Sequence, residues 1–141
     1  MKLLVPIDGS EIGARALAIS IDLARAHPGS SLHVVAVHPK PIIYGEVAIY
    51  VGRERSQALA TEHDRKVLAL VLPQLENAGV PYTTHSEEGE VAPTIARLAR
   101  ELGCQQIVMG TRGLGRSTAF LMGSVAAQVV HLADVPVTLV K

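Results

Sequence analysis

Short apolar runs alternate with helix-forming segments along the chain, and this alternation constrains the fold more than any other feature of the sequence. Strands joined by helices of ten or more residues lie parallel, with right-handed crossovers. A chain of 141 residues is long enough for one domain with a substantial core. We therefore predict a single α/β domain over residues 1–141, with a doubly wound, five-stranded parallel sheet of flavodoxin-like type and helices on both faces. The five predicted strands are LLVPI (3–7), LHVVAV (32–37), VPYTTH (80–85), QQIVM (105–109) and PVTLV (136–140).

The predicted sheet also predicts where a ligand would bind. In open parallel sheets, ligands lie beyond the carboxyl ends of the strands, where the strand order reverses. For an order similar to 2-1-3-4-5 or 3-2-1-4-5, we expect strands 1 and 4 to be neighbours. The segments that would then meet are PIDGS (6–10) and MGTRG (109–113). The third run is more polar than the others and is expected at an edge of the sheet.

The segments between the strands contain several local signals. Ser10 and Ser124 are candidate N-caps for the first and last helices. Residues 39–55 fit neither the helical nor the strand period, so we expect a lid, a binding loop or a disordered connection, whose tyrosines could stack on a base. A helix follows to about Ala78, and Pro73 inside it should kink or break it.

Composition excludes several classes of protein. Thirteen basic and thirteen acidic residues give no net charge and no basic field, which argues against a nucleic-acid partner. The single cysteine, Cys104, fits a reducing compartment, and the apolar run at residues 3–7 is too short for a signal peptide or a membrane span. The six histidines show no metal-binding spacing or tight cluster, and no G-x-S-x-G elbow is present. We expect a cytoplasmic protein that does not bind membranes.

The segment GTRGLGRS (110–117) is one letter away from the phosphate-binding P-loop, because Arg116 replaces the lysine. An arginine fork does not fill the role of a compact ammonium between phosphates. The next helix would also begin later, at Gly123-Ser124, and the only apolar strand that ends in an aspartate comes first in the chain. The P-loop interpretation is therefore rejected.

A different spacing explains the glycines better. The pattern is Gly110, two residues, Gly113, nine residues and then Gly123-Ser124. These glycines would let the backbone leave strand 4 sharply and approach a ligand closely. The second contact point would lie at a helix N-terminus, which favours phosphate. Arg112 and Arg116 would add charge-assisted donors.

This G-2x-G-9x-G-[ST] spacing resembles the nucleotide-binding signature of the universal stress protein family. The family's first strand and loop are similar to LLVPIDGSE, and its second strand is similar to HVVAV. Its last helix and final strand are similar to GSVAAQVVHLADVPVTLVK. The resemblance implies an adenine nucleotide alpha hydrolase-like fold and an ATP-binding stress-response or signalling module, with Mg²⁺ accompanying the triphosphate. It implies that Asp8 and Val37 meet the adenine and ribose, with Pro6 shaping the loop. Met109, Gly110, Arg112 and Gly113 would flank the ribose and the α-phosphate. Gly123, Ser124 and Val125 would hold the outer phosphates.

Several alternatives stay open from the sequence. Asp8 could simply accept hydrogen bonds from backbone amides of its own turn. The protein could be a weak ATPase or an autophosphorylating enzyme, in which Asp8 positions water or metal and Ser117 or Ser124 is phosphorylated. It could be a flavodoxin-like FMN carrier, although the aromatic residues that sandwich a flavin are lacking, or a non-catalytic dimeric scaffold. Family members commonly dimerise through their final strands, so Pro136 to Val140 is the predicted homodimer edge.

Overall fold

The computed structural model describes residues 1–40, 46–113 and 122–141, with residues 46–57 described as backbone only. Strands and helices alternate through this part of the chain, as predicted. The elements are β1 (Lys2–Pro6), α1 (Glu11–Ala26), β2 (Ser31–His38), α2 (Glu46–Glu76), β3 (Tyr82–Glu88), α3 (Val91–Glu101), β4 (Gln106–Gly110), α4 (Ser124–Leu132) and β5 (Val137–Val140).

The five strands form one parallel sheet in the order β3-β2-β1-β4-β5. This is the second of the two expected orders. It places β1 between β2 and β4, whereas the order 2-1-3-4-5 would have separated β1 from β4, so the expectation that both orders bring them together was wrong. Leu3 pairs with Gln106 on one side and with Leu32 on the other. The polar strand β3 lies at an edge, as predicted, and β5 lies at the other edge.

Helices cover both faces of the sheet because alternate strand residues point to opposite faces. On one face, Leu3 and Val5 of β1 pack in a buried cluster with α1 and α2. On the other face, Leu4 packs in a second cluster with α3 and α4. These side chains of β1 are fully buried, and each contributes about 1.5–3 kcal/mol to stability. The central strand is therefore held rigidly, and so is the loop that follows it.

The prediction for residues 39–55 was wrong in its second half, because residues 46–55 belong to α2. The apolar residues of α2 do not follow one stripe along its length, so the helical period that identifies an amphipathic helix is missing there. The predicted break at Pro73 was also wrong, since α2 is one continuous helix through that residue. Pro73 and Ala69 are exposed, so water can hydrate the Ala69 carbonyl that loses its helical partner. The side chains of Tyr44 and Tyr50 lie outside the described residues.

The helix ends follow the sequence signals, with one correction. Ser10 caps α1 by accepting a hydrogen bond from the Gly13 N–H at 3.1 Å. Gly103 follows α3 in the left-handed region, at φ +65°. The N-cap of α4, however, is Gly123 rather than Ser124, and Ser124 is the first helical residue. Among the helices that the structure describes, none is long and apolar enough to cross a membrane.

Candidate functional site

A pocket of about 420 Å³ opens at the carboxyl ends of β1, β2 and β4 and at the N-terminus of α4. Its volume lies in the range of small-molecule sites. The pocket lies at the switch point of the sheet, between β1 and β4. The chain continues from β1 to β2 on one side of this point and from β4 to β5 on the other. Its lining includes all ten residues predicted for the site, which are Pro6, Asp8, Val37, Met109, Gly110, Arg112, Gly113, Gly123, Ser124 and Val125.

The loop after β1 holds Asp8 in a fixed position. The Asp8 Oδ1 atom accepts a hydrogen bond from the Ser10 N–H at 2.9 Å, and the Ser10 hydroxyl in turn caps α1. Part of the plainer alternative for Asp8 is therefore correct, because one carboxylate oxygen does satisfy a backbone amide of its own turn. The other oxygen, Oδ2, lies towards Gly113 on the β4 side of the pocket.

Three glycines allow the walls of the pocket to approach one another. A Cβ atom on Gly110 would lie 2.5 Å from the Ile12 Cγ2 atom, and one on Gly113 would collide with the Asp8 Oδ2 atom. A Cβ on Gly123 would lie 3.1 Å from the Arg112 Cα atom. The sequence analysis explained these glycines by their approach to a ligand, but the contacts identify a structural reason as well. Each glycine lacks a side chain at a point where two segments of the site pack together.

The N-terminus of α4 faces the pocket with a glycine at its N-cap. The Gly123 N–H donates to the Thr111 carbonyl at 2.7 Å, which fixes the start of the helix against the end of β4. Among the described residues no side chain caps this helix, and its first turn contains no acidic residue. The backbone N–H groups at Ser124 and Val125 precede the first intrahelical donors, and both residues line the pocket. This helix end therefore presents hydrogen-bond donors and a positive dipole to the pocket.

Another helix that begins at the pocket, α1, is capped by a side chain of the protein. Its first turn contains Glu11, and the Ser10 hydroxyl already accepts from the helix backbone. The Asp8 carboxylate lies beside the same end. An anion in the pocket is therefore favoured at α4 and disfavoured at α1.

The opposite wall of the pocket is aliphatic. It includes Val35 and Val37 from β2, Met109 from β4, and Val91 and Ile95 from α3. The sequence analysis did not assign Val91 and Ile95 to the site. Their assignment required the strand order, because only that order places α3 over the end of β2.

Away from the pocket, the structure brings together polar side chains that the sequence did not connect. His38 and Asp64 are both buried, and the Asp64 Oδ2 atom accepts from the His38 Nδ1–H at 2.5 Å and from the Ser86 hydroxyl at 2.6 Å. This contact links α2 to the ends of β2 and β3. Hydrophobic periodicity gave no signal for it, since α2 and β2 are separated by the segment whose structure was predicted wrongly.

A second polar contact joins His33 of β2 to His85 of β3. The His33 Nδ1 and His85 Nε2 atoms are 2.9 Å apart. Burial lowers the pKa of both imidazoles, and for His33 the charges of His85 and Lys2 lower it further, whereas Glu87 opposes the shift at His85. The sequence analysis found no metal-binding spacing or tight cluster among the histidines, and it did not anticipate this pair.

The protein-family model for the universal stress protein family matches residues 1–141 of the chain. The chain belongs to the universal stress protein family. A curated family member from Bacillus subtilis (strain 168), the universal stress protein YxiE, is 33% identical over 147 aligned residues, which cover 99% of this chain and 98% of the relative. This membership confirms the resemblance to the family.

Solved structures of universal stress proteins share the fold. The UspA protein from Lactobacillus plantarum superposes with a TM-score of 0.86 at 20% identity, covering 100% of this chain and 97% of that chain. A universal stress protein from Archaeoglobus fulgidus in complex with dAMP has a TM-score of 0.75 at 23% identity, covering 100% and 98%. A further universal stress protein structure, in complex with cAMP, has a TM-score of 0.68 at 22% identity and covers 100% of this chain and 96% of that chain. Members of the family therefore bind adenine nucleotides.

Two residues named in the sequence analysis, Arg116 and Ser117, lie outside the described part of the structure. Their contributions as a phosphate ligand and as a phosphorylation site stay predictions.

Proposed function

We propose that this universal stress protein is an ATP-binding signalling module, a homodimer whose conformation or partner binding responds to the bound nucleotide. The observation that carries the proposal is the N-terminus of α4, whose N-cap is a glycine and which faces the same pocket as the Asp8 carboxylate and an aliphatic wall. The pocket thus offers donors for phosphate at one end and apolar surface for a base at the other. The relatives in complex with dAMP and cAMP support an adenine nucleotide as the ligand.

The chemistry of the lining supports one orientation of the nucleotide. Adenine is a flat, largely apolar ring that fits beside Val37 and the neighbouring aliphatic side chains, and the ribose hydroxyls suit the Asp8 carboxylate as an acceptor. The α-phosphate would then lie at Met109 to Gly113 and the outer phosphates at Gly123 to Val125. The fixed Arg112 guanidinium charge suits the phosphates.

Mg²⁺ would accompany the triphosphate rather than occupy a site formed by protein side chains. Within the described residues, no group of three histidine, cysteine, aspartate or glutamate side chains is arranged to hold a metal ion. Mg²⁺ keeps several waters and often binds through substrate phosphates. We expect Mg²⁺ to neutralise the outer phosphates, while the chain supplies backbone donors and Arg112.

A proline substitution tests the contribution of the α4 backbone directly. Ser124→Pro removes one N–H donor, and proline is well tolerated at the first position of a helix. Gly123 precedes it with φ −61° and ψ 155°, a conformation compatible with a following proline. Losing one hydrogen bond to a charged phosphate should weaken ATP binding by roughly 10- to 100-fold in isothermal titration calorimetry.

Two matched variants separate the backbone donor from other effects. Ser124→Ala keeps the N–H and removes the hydroxyl, so it should bind ATP within a few-fold of the wild type. Glu11→Pro introduces proline at the first position of α1, an exposed residue outside the pocket lining, and should leave binding unchanged. Equal ATP affinity in Ser124→Pro and the wild type would contradict the assignment of the phosphates to α4.

The choice of nucleotide is tested by thermal melts with magnesium-ATP, AMP, cAMP, dAMP and FMN. A ligand at about 100 times its dissociation constant stabilises the folded state by about 2.7 kcal/mol. A larger shift with ATP than with AMP, at equal concentrations, would support binding of the outer phosphates. No shift with any nucleotide would favour the dimeric scaffold, and a yellow protein stabilised by FMN would favour the flavin carrier.

The edge strand β5 is the proposed dimer contact. The carbonyls of Pro136 and Val140 accept hydrogen bonds from the N–H groups of Ile107 in β4 and of Thr111 directly after it. Because backbone groups alternate in direction along a strand, the N–H and C=O groups of Val137 and Leu139 point away from the sheet. These groups can pair with a second copy of β5. Val137→Pro removes one outward donor, while the hydrogen bonds to β4 are retained. We expect at least tenfold weaker dimerisation in sedimentation equilibrium, and an unchanged dimer would exclude this edge.

Catalysis is a weaker alternative within the same proposal. A slow ATPase would release phosphate repeatedly for each mole of protein, whereas a binding module would retain ATP, so phosphate release over hours distinguishes the two. A cytoplasmic location belongs to the proposal as well, and the single buried thiol of Cys104 is consistent with a reducing compartment.

A further inference from the structure

We propose that His33 and His85 form a binding site for a transition-metal cation, with a preference for Cu²⁺, on the α3-facing side of β2 and β3. This site is separate from the nucleotide pocket, whose lining does not include either histidine. The proposal therefore stands or falls independently of nucleotide binding.

The two imidazole rings already bring two donor nitrogens together. The His33 Nδ1 and His85 Nε2 atoms are 2.9 Å apart, and the ring centroids are 5.1 Å apart with an interplanar angle of 33°. The parallel ladder fixes both backbones, because His33 pairs with Thr83 and His85 pairs with Val35. The separation of the two nitrogens is therefore set by paired strands rather than by mobile loops.

The separation matches the geometry of one class of metal site. Two ligands at right angles around a metal, each with a bond of about 2.0 Å, lie about 2.8 Å apart, as in the square-planar sites of Cu²⁺ and Ni²⁺. A tetrahedral Zn²⁺ site needs a wider separation of about 3.3 Å. Rotation of the rings about their side-chain bonds would turn both lone pairs from each other towards one cation, with little change in the backbone.

Partial burial favours the neutral form of both imidazoles, which is the form that binds such a cation. Burial lowers the pKa of both histidines, so neither ring must lose a proton for metal to bind at neutral pH, and the hydrogen-bonded ring only changes tautomer. Lys2 lies close enough to lower the pKa of His33, and its charge opposes any cation. This repulsion acts on all divalent cations alike. The two imidazole ligands favour Cu²⁺ and Ni²⁺, which bind imidazole strongly, over Mg²⁺ and Ca²⁺, which prefer charged oxygen ligands.

The site would be open to solvent and would connect two strands. Both histidines are partly exposed, and within the described residues no third histidine, cysteine, aspartate or glutamate joins them as a metal ligand. Water would fill the remaining coordination positions. A bound cation would link the edge strand β3 to β2 and stabilise the folded protein, because the unfolded chain does not hold the two rings together.

Titration of the purified, untagged protein with CuCl₂, NiCl₂ and ZnCl₂ tests the proposal. We expect one equivalent of Cu²⁺ to bind more tightly than Ni²⁺ and Zn²⁺, with an electron paramagnetic resonance spectrum of a tetragonal site with two nitrogen ligands. His33→Gln and His85→Gln should each weaken binding at least tenfold. His131→Gln, which removes a single exposed histidine of α4, is the matched control and should leave the affinity unchanged.

A second measurement uses only the wild-type chain, in case a substitution impairs folding. Substoichiometric Cu²⁺ should broaden the ring-proton NMR signals of His33 and His85 before those of the other four histidines. Unchanged Cu²⁺ affinity in both variants, or an equal loss in His131→Gln, would overturn the proposal. Broadening that begins at other histidines would overturn it as well.

Discussion

Gly113→Ala should destabilise the protein even without nucleotide, because the added methyl group would collide with Asp8. The backbone of Gly113 is not in the positive-φ region, so alanine is conformationally allowed and the collision with the Oδ2 atom is the main penalty. Relief requires rotation of the carboxylate, which breaks its 2.9 Å hydrogen bond from the Ser10 N–H. A charge-assisted bond of this kind contributes about 1.5–3 kcal/mol.

We therefore expect the free energy of unfolding to fall by about 2 kcal/mol, and Tm by about 7 °C for a chain of this size. The assay is urea denaturation of Gly113→Ala, Asp8→Ala and the double variant. In the Asp8→Ala background the methyl group meets no carboxylate, so Gly113→Ala should be neutral or slightly stabilising. A coupling energy below about 0.5 kcal/mol between the two sites would refute the reasoning, since neighbours in contact should not be additive.

Three further predictions concern charge and burial. Asp64→Ala removes the partner of the buried His38 Nδ1 atom and of the Ser86 hydroxyl, while Glu88 stays 3.5 Å from the His38 Nε2 atom. It should lower the free energy of unfolding by about 3 kcal/mol in urea denaturation. A cost below 1 kcal/mol would show that the pair contributes little. Because the pKa values of His33 and His85 are lowered from 6.5 in the folded state, the unfolded chain binds protons first as the pH falls. Their contribution to stability is complete above pH 6.5 and is lost as the pH falls through the folded pKa values. Stability measured from pH 7.5 to pH 5 should therefore fall less steeply in His33→Gln and His85→Gln than in the wild type, and an unchanged slope would contradict this linkage. Arg112→Gln should weaken ATP binding at low salt by about tenfold, and the difference from the wild type should shrink as the salt concentration rises. Calorimetry at two salt concentrations measures this difference. A difference that does not depend on salt would argue against a charge contact.

The sheet could be predicted because its signals are local. Buried parallel strands appear as continuous apolar runs, and the helices between them fix the connections as crossovers. The two candidate strand orders could not be separated, since both satisfy these rules and only packing decides between them. The first part of α2 could not be found because its apolar residues do not follow one stripe.

The candidate site was predictable to a similar extent. The resemblance to the family, carried by the glycine spacing and the segment after β1, implied ten residues that line one pocket. The partners of the glycines were not predictable, because the contact of Gly113 with Asp8 joins positions far apart in sequence. The His33–His85 and His38–Asp64 contacts were missed for the same reason. Each depends on a register or a helix position that no periodicity specifies.

A crystal structure of the protein with magnesium-ATP would test the proposed function most directly. We expect the outer phosphates to lie within hydrogen-bond distance of the Ser124 and Val125 backbone N–H groups, and the adenine ring to pack against Val37. Phosphates bound at the N-terminus of α1, or a nucleotide bound outside this pocket, would contradict it.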